Sequence, residues 1–498
     1  QRLSRGLGDV YKRQLKEIYD EALKSGHFQG SIRNGEIIIL YKKGDPREVR
    51  NYRPITLLNL DYKIYSRVLV ARLKPLMQHL VSEAQLGFVP GRRGAESTHL
   101  LKLVQAILDE EDGEGLIVAL DWEKAFDRVS WDYLEKATEA IGFGKCIKKM
   151  IGVMYNMDYP PTRHVRANGK KGAPFNIFSG VPQGCPASPL IFLIIAEALT
   201  RAIEQDDNIK GITIDGNDYK ITQFADDTQL LLQGFEMITR VFPVLTEYEE
   251  ATGMKANASK FEGLRCGKLK KEPPPDIKPI NLINWVKPGA FVKILGIPFW
   301  EDFDVDRFWD ALYGKMKCQL ASWRNIDWLT LVGRNILASS VIMGKFRYHV
   351  QTLDCPDWVS TAIVSDCKAL RWAKDPEFDK DADGTEVRVG RFCGDAEFAP
   401  RKLALGGGAL DWLSHLKGLQ AIWILYYLDA SKGRWKNLLD RWFDREHEGR
   451  GIILSTIKRQ SLSASANYRS TQIPKFWTDA LKAIRELTLT PVSYTHLT

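Results

Sequence analysis

Apolar residues recur at several distinct spacings along the chain, and the spacing predicts the element. From Glu36 the run EIIILYKKGDP holds a continuous apolar stretch that stops at a Gly-Asp-Pro turn, which reads as a strand. Ile64, Val68, Leu69, Leu73 and Leu76 then return at helical spacing in YKIYSRVLVARLKPLMQHL, and a second helix is predicted from about Thr98 to Leu108. GEGLIVALD gives a fully apolar strand, Leu116 to Leu120, that delivers Asp121 at its end. Ser130 stands where an N-cap belongs, ahead of WDYLEKATEAI, with Gly142 placed to close that helix.

Further on, TRHVRANGKKGAPFNI reads as a hairpin turning at Asn168 and Gly169. The loop SGVPQGCP leads into LIFLIIAEAL, a buried helix; this longest apolar run contains Glu197 and is far shorter than the roughly 20 residues a membrane span needs. GITID, a turn at Asp215 and Gly216, and DYKITQFADDTQLLLQ supply more strands, and a helix from Glu236 to Ala251 ends at Gly253. KKEPPP, Lys270 to Pro275, reads as a loop. Beyond Trp300 strand patterns fade, Trp becomes frequent, and RFWDALYGKMKCQLASW and GRNILASSVIMGKFRYHV read as amphipathic helices. The order from Leu116 to Leu232 is strand, helix, hairpin, helix, strands, helix, an α+β layer arrangement with helices on one face of a sheet.

Two residues run against this pattern. In ITQFADDTQLLLQ, Asp226 and Asp227 sit between apolar runs, where unpaired carboxylates would be costly. An ordinary hairpin turn accounts for them on local sequence alone. The alternative is a turn that aims both acids at a metal ion, with Asp121 as a third acid if the two strands are neighbours. Repulsion among three such carboxylates would raise their pKa values unless a cation neutralised them, and hard oxygen ligands in an open site suit Mg2+. Two ions about 4 Å apart would serve nucleotidyl transfer, activating a hydroxyl and stabilising a leaving pyrophosphate.

Charge and cysteine usage narrow the field modestly. Lys plus Arg total 70 against 62 Asp plus Glu, a net charge of +8 that suits a polyanionic partner. The 7 cysteines are scattered with no CxxC spacing, which argues against a disulfide framework or a zinc site and for a reducing compartment. The 8 histidines show no metal-ligand spacing. QRLSRGLGDVYKRQ and PVSYTHLT resemble translated adapter sequence and are set aside as non-native termini, so the chain reads as a fragment open at both ends.

LDWEKAFDRV, SGVPQGCPASPLIF and QFADDTQLLL, in this order, resemble the three central palm motifs of a reverse transcriptase. KKGDPREVRNYRPITLLN and EAQLGFVPGRR upstream, with TGMKANASKFE and VKILGIPF downstream, resemble the non-LTR, LINE-type retrotransposon branch, from about Glu36 to Trp300 and more loosely to Trp442 through LALGGGALDWL. The resemblance implies a right-hand polymerase with a helical C-terminal extension: fingers 15–114, palm 115–300 with an inserted fingers segment at about 145–180, thumb 301–375 and extension 376–490, between non-native ends 1–14 and 491–498. It implies an RNA-directed DNA polymerase that extends a DNA 3′ hydroxyl on an RNA template from dNTPs, with two Mg2+ ions, or Mn2+ in their place, and without a membrane.

Position by position, the resemblance makes Asp121 and Asp226 metal ligands and Asp227 a third member of the acidic cluster. Phe126 would exclude a 2′ hydroxyl, and Gln183 and Gly184 would line the nucleotide pocket, Gly because backbone must approach the substrate closely. Arg53 would grip the triphosphate, helped by Lys42 or Lys43. Gln85, Gly87, Phe88, Gly91 and Arg92 fall in the template-contacting segment, Lys255 or Lys260 would protonate the leaving pyrophosphate, and Leu295 and Gly296 fall in the segment that supports the primer end. Cys185, Ala187 and Phe224 depart from the commonest pattern without touching the acids. The location implied is intracellular, and nuclear during integration in a eukaryotic host. The rival readings are a group II intron-type or domesticated reverse transcriptase, and a catalytically inactive nucleic-acid-binding relic.

Overall fold

A computed structural model of the chain describes residues 2–302, 304–324, 329–372, 378–380, 386–388, 411–429, 433–443 and 474–486. Of the stretch LALGGGALDWL only Asp411, Trp412 and Leu413 fall among them, and 491–498 lie outside. Two compact units result: the first gathers Gln1–Ser97 and Glu111–Val286, the second Thr98–Glu110 and Lys287–Thr498.

The strands of the first unit are β1 (Gly35–Tyr41), β2 (Tyr52–Leu58), β3 (Glu114–Leu120), β4 (Thr162–Ala167), β5 (Lys170–Lys171) and β6 (Phe175–Asn176). They continue with β7 (Ile212–Ile214), β8 (Asn217–Tyr219), β9 (Ile221–Phe224), β10 (Asp227–Leu232), β11 (Glu262–Gly267) and β12 (Asn284–Trp285). One sheet runs β12-β11-β3-β10-β9, antiparallel except for the β11–β12 pair. Another runs β2-β1-β4-β5 with β6 also on β4, and only β1 and β4 are parallel. Helices Ser188–Gln205 and Phe235–Thr252 pack on each other and on β9 and β10, which makes the α+β layer.

The apolar runs form the centre of the first sheet. Leu116, Ile117, Val118 and Leu120 of β3 and Leu230, Leu231 and Leu232 of β10 are all buried. Helix termination follows the punctuation in the chain. Ser130 Oγ accepts the Tyr133 N–H at the start of helix Trp131–Ala140, and Gly253, at φ 73°, closes helix Phe235–Thr252 in the left-handed conformation. Glu197, the charge inside LIFLIIAEAL, is buried but partnered: it accepts from Arg201 at 2.8 Å and from the Ser82 N–H at 2.9 Å. Burial raises its pKa and the Arg201 bond opposes the rise.

One expectation differs from the structure. The helix expected through Leu76 stops at Leu73: Pro75 has no N–H to continue the ladder and its ring crowds the preceding turn, and Met77–Leu80 is a separate turn. Its buried face is Tyr62, Tyr65, Leu69 and Leu73, while Val68 and Leu76 are exposed. Helix Arg2–Ser25 is the first element of the chain described. β11 carried no strand signal, since Gly263 and Gly267 depress its propensity; Leu264 and Cys266 hold it against the core instead.

The second unit contains the hairpin β13 (Val292–Ile294) and β14 (Ile297–Phe299), turning at Leu295 and Gly296, and helices that include Val305–Arg324, Asp357–Trp372, Trp412–Leu428 and Lys475–Glu486. Five of its tryptophans are core: Trp309, Trp412, Trp423, Trp435 and Trp477 are among the largest fully buried side chains, whereas Trp358 is exposed. No helix among the described residues is long and apolar enough to cross a membrane.

Leu231 is fully buried in β10, between β3 and β9. Leu231→Ala leaves a cavity there and is expected to destabilise the first unit by about 2–5 kcal/mol, read as a lower melting temperature in calorimetry.

Candidate active site

The register of the central sheet brings the three acids to one edge. β10 pairs with β3 so that Thr228 faces Leu120, and with β9 so that Asp227 faces Phe224. Asp121 follows Leu120 and Asp227 precedes Thr228, so each lies one step beyond the same cross-strand pair. Ala225 and Asp226 form a two-residue turn in which Ala225 has φ 56°. A positive φ at the first central position is the type II′ geometry that favours Gly, and a Cβ there costs about 1 kcal/mol.

Charge accumulates at this edge. Burial raises the pKa of Asp226, with its own backbone N–H and Lys42 opposing, Asp121 adding to the rise and Arg53 opposing. Asp227 is pushed up to about 6 by desolvation, then by the charges of Asp226 and Asp121. Glu262 at the start of β11 is a further acid, raised by burial and by Asp121 and held down by Lys43. Asp121 itself is ion-paired to Lys260, whose Nζ lies 3.2 Å from Oδ2. The Asn257 N–H donates to the Asp121 carbonyl and the Glu123 N–H to that of Lys255, so segment 255–260 is laced along the residues after β3.

The basic residues come from β1 and β2. Their register sets Tyr41 opposite Tyr52 and Leu40 opposite Arg53, and the Lys42 N–H donates to the Asn51 carbonyl at 2.9 Å. Lys42, Lys43 and Arg53 are all exposed. The two lysines separate by target: Lys42 acts on Asp226 and Asp227, Lys43 on Glu262.

Phe126 belongs to the helical turn Ala125–Arg128 just after Asp121; it is half-buried and stacks on Phe192 with ring centroids 4.4 Å apart. Its carbonyl accepts the Val181 N–H at 2.7 Å, which ties this turn to the loop before helix Ser188–Gln205. The same loop is joined to β2, where the Thr56 N–H donates to the Gln183 carbonyl at 2.7 Å. Gly184, at φ 120°, is required here: a Cβ would stand 2.4 Å from the Thr56 carbonyl oxygen. The close backbone approach expected at this glycine is therefore made by strand β2. Burial raises Asp127, opposed by Lys124 and by a hydrogen bond with the Gln183 side chain.

Several residues of EAQLGFVPGRR face inward. Gln85 is fully buried and its side chain is spent on the Asp226 hairpin, which leaves it no exposed atom to offer a template. Arg92 donates to the backbone carbonyls of Ser82 and Gln85, and Gly87 lets backbone lie against Ala225, whose nitrogen would be 2.4 Å from a Cβ. Phe88 is the one exposed residue of QLGF. Lys260, Glu262 and the buried polar side chains behind the hairpin are the parts that sequence reasoning missed or left undecided; the spacing of KFE after Asn257 was the one available signal for the first two.

Asp121, Asp226 and Asp227 offer hard carboxylate oxygens at this edge. Among the described residues no three His, Cys, Asp or Glu side chains close an ion cage by themselves. An open edge of carboxylates fits Mg2+, which keeps waters and shares substrate phosphates.

A mostly antiparallel sheet with acids gathered where β3 ends and β10 begins, a second sheet that carries Lys42, Lys43 and Arg53, and helices packed on the first sheet define a polymerase of the right-hand class. The family model described as reverse transcriptase (RNA-dependent DNA polymerase) matches residues 41–299, more than half of the chain, and the chain belongs to that family. It is 27% identical over 347 residues to the transposon TX1 uncharacterized 149 kDa protein of Xenopus laevis, covering 69% of this chain and 26% of that protein. It is 28% identical over 257 residues to the RNA-directed DNA polymerase from mobile element jockey of Drosophila melanogaster, covering 50% of this chain and 26% of that protein. The chain thus spans about a quarter of the length of these relatives. Among solved structures, telomerase from Candida tropicalis in complex with a fragment of telomeric RNA matches at 12% identity and TM-score 0.39, over 97% of this chain and 68% of that one.

Gly184→Ala puts a side chain into the Thr56 carbonyl and a left-handed φ on Ala, and is expected to cost about 2 kcal/mol or more. Gly152, inside helix Lys145–Met154 with open space around it, is the contrasting site. Gly152→Ala should be neutral or stabilise by up to about 1 kcal/mol. Paired thermal melts of the two variants check both signs.

Proposed function

We propose that this chain is the RNA-directed DNA polymerase of a non-LTR, LINE-type retrotransposon, extending a DNA 3′ hydroxyl on an RNA template with dNTPs. The observation that carries this reading is the meeting of Asp121, Asp226 and Asp227 at one sheet edge, under the electrostatic influence of Lys42 and Arg53. An intact acidic edge supports a catalytic role over that of an inactive relic. In this reading β1 and β2 belong to the fingers (15–114), the sheet centred on β3 and β10 to the palm (115–300), and the later helices to the thumb (301–375) and a C-terminal extension (376–490).

When bound, a pair of Mg2+ ions, or Mn2+, would lower the pKa of the attacking hydroxyl and neutralise charge on the leaving pyrophosphate. The protein's own residues then have separable tasks. Asp121, Asp226 and Asp227 would hold the ions. Arg53 offers a planar fork of donors suited to phosphate oxygens, and Lys42 adds a point charge on the same side. Lys260, paired with Asp121, would exchange partners as cations arrive. Phe126 presents a rigid half-buried ring after Asp121, and Gln183 is held by Thr56 and Asp127. The half-buried ring supports a steric filter for the sugar, which works by shape and is therefore sensitive to side-chain volume.

Primer extension on poly-rA with oligo-dT tests the reading. Asp121→Asn and Asp226→Asn should each lower dNTP incorporation by more than about 10³-fold while RNA binding and the melting temperature stay close to those of the parent chain. Retained polymerisation by either variant would sink the assignment of these carboxylates.

Phe126→Val should raise ribonucleotide incorporation relative to deoxynucleotide by about 10- to 100-fold. The ratio of the two kcat/KM values is the measurement, and an unchanged ratio would leave Phe126 as packing against Phe192 alone.

A further inference from the structure

The turn that carries Asp226 has a left-handed Ala where Gly is favoured, and a neighbouring like charge. Behind it stands a chain of buried polar side chains. Gln85 Oε1 accepts the Ala225 N–H at 2.8 Å and the Gly87 N–H at 2.9 Å. Gln85 Nε2 donates to Gln223 Oε1 at 3.3 Å and to the Ala225 carbonyl at 3.4 Å. Two backbone donors converge on one amide oxygen, so the orientation of the Gln85 amide is determined by its partners. Gln223 Oε1 also accepts from Thr200 Oγ1 at 2.6 Å, and Gln223 Nε2 donates to Thr228 Oγ1 at 3.1 Å.

Thr228 is the junction. Its hydroxyl accepts from Gln223 Nε2 and from Trp122 Nε1, the latter at 3.3 Å, and donates to the Asp226 carbonyl at 3.3 Å. Gln85, Thr200 and Thr228 are 0% exposed, Gln223 1% and Trp122 8%. Each end of this relay is one residue from a carboxylate: Trp122 follows Asp121, Thr228 follows Asp227 and Ala225 precedes Asp226. Both lone pairs and both protons of the Gln85 amide are used, as are both lone pairs and the proton of Thr228. A saturated buried network has one low-energy arrangement, because any sliding strands a donor or acceptor away from water. Apolar packing alone would tolerate such sliding.

We propose that Gln85 is a positioning residue for nucleotidyl transfer, which through Gln223, Thr228 and Trp122 sets the separation between Asp121 and the Asp226–Asp227 pair and thereby the spacing of the bound cations. The inference rests on the polymerase reading above. Gln85 touches no reacting atom; it acts through the hairpin.

The experiment uses the full chain in three variants, with Mn2+ alone as the probe. Gln85→Met keeps the side chain's length and removes every hydrogen bond; Thr228→Val keeps its shape and removes the junction. Tyr65→Phe deletes a different buried bond of the same unit, to the Met150 carbonyl, and serves as the control. Free Mn2+ is measured by electron paramagnetic resonance without nucleotide, and kcat and KM for dTTP on poly-rA with oligo-dT. Both relay variants should bind Mn2+ about 10-fold or more weakly and lose about 10²-fold in kcat with KM changed little, whereas Tyr65→Phe changes neither. Should Gln85→Met fail to fold, Thr228→Val carries the test. Wild-type Mn2+ affinity and kcat in a folded relay variant overturn the proposal, as does an equal loss in Tyr65→Phe. If the parent chain binds Mn2+ but extends no primer, the polymerase reading fails, and the Mn2+ titration still decides whether the relay spaces the carboxylates.

Discussion

Like charges at one edge of a sheet repel, and the first unit is organised around keeping Asp121 beside Asp226 and Asp227 despite that repulsion. Pairing of β3 with β10 sets the spacing, and buried apolar residues on both strands make the pairing strong enough to bear the cost. The neighbouring elements supply countercharge or restraint. Lys260 takes the Asp121 carboxylate, Lys42 and Arg53 act on Asp226 from the β1–β2 ribbon, and Gln85 holds the turn from behind. Burial first, with the neighbouring carboxylate charges adding to it, still raises the pKa of Asp226 and Asp227 against these compensations.

Strands and helices with strong local signals were legible in the chain. β3 and β10 are apolar runs, the turns at Asn168–Gly169 and Asp215–Gly216 carry the residues such turns need, and Ser130 caps the helix it precedes. The acidic edge was legible only conditionally, because local sequence cannot say that β3 neighbours β10; the register supplies that fact. Lys42 and Lys43 were indistinguishable as adjacent lysines, and only their positions relative to the acids separate them.

What could not be read was whatever depends on contact between distant segments. Gln85 and Gln223 look like ordinary polar residues, and their burial becomes visible only when residues 138 positions apart share a hydrogen bond. The tyrosine part of the buried face of helix Leu60–Leu73 was hidden for a related reason: Tyr62 and Tyr65 join Leu69 and Leu73 inside while Val68 does not, so hydropathy located only half of the stripe. β11 has weak intrinsic preference for a strand and is recruited by β3.

The contrast among three two-residue turns bears on how the chain can change length. Asn168–Gly169 and Asp215–Gly216 are exposed tips of short hairpins with open space around their glycines, so added residues there would extend into solvent. The Ala225–Asp226 turn has both the Gly87 backbone and the Gln85 side chain against it. A single inserted residue would either bulge the turn into that backbone or slip β10 by one, and because side chains alternate, the slip would turn Leu230 and Leu232 away from the core along with the acids. Diversification by insertion is thus open to the periphery of this molecule and closed at its centre.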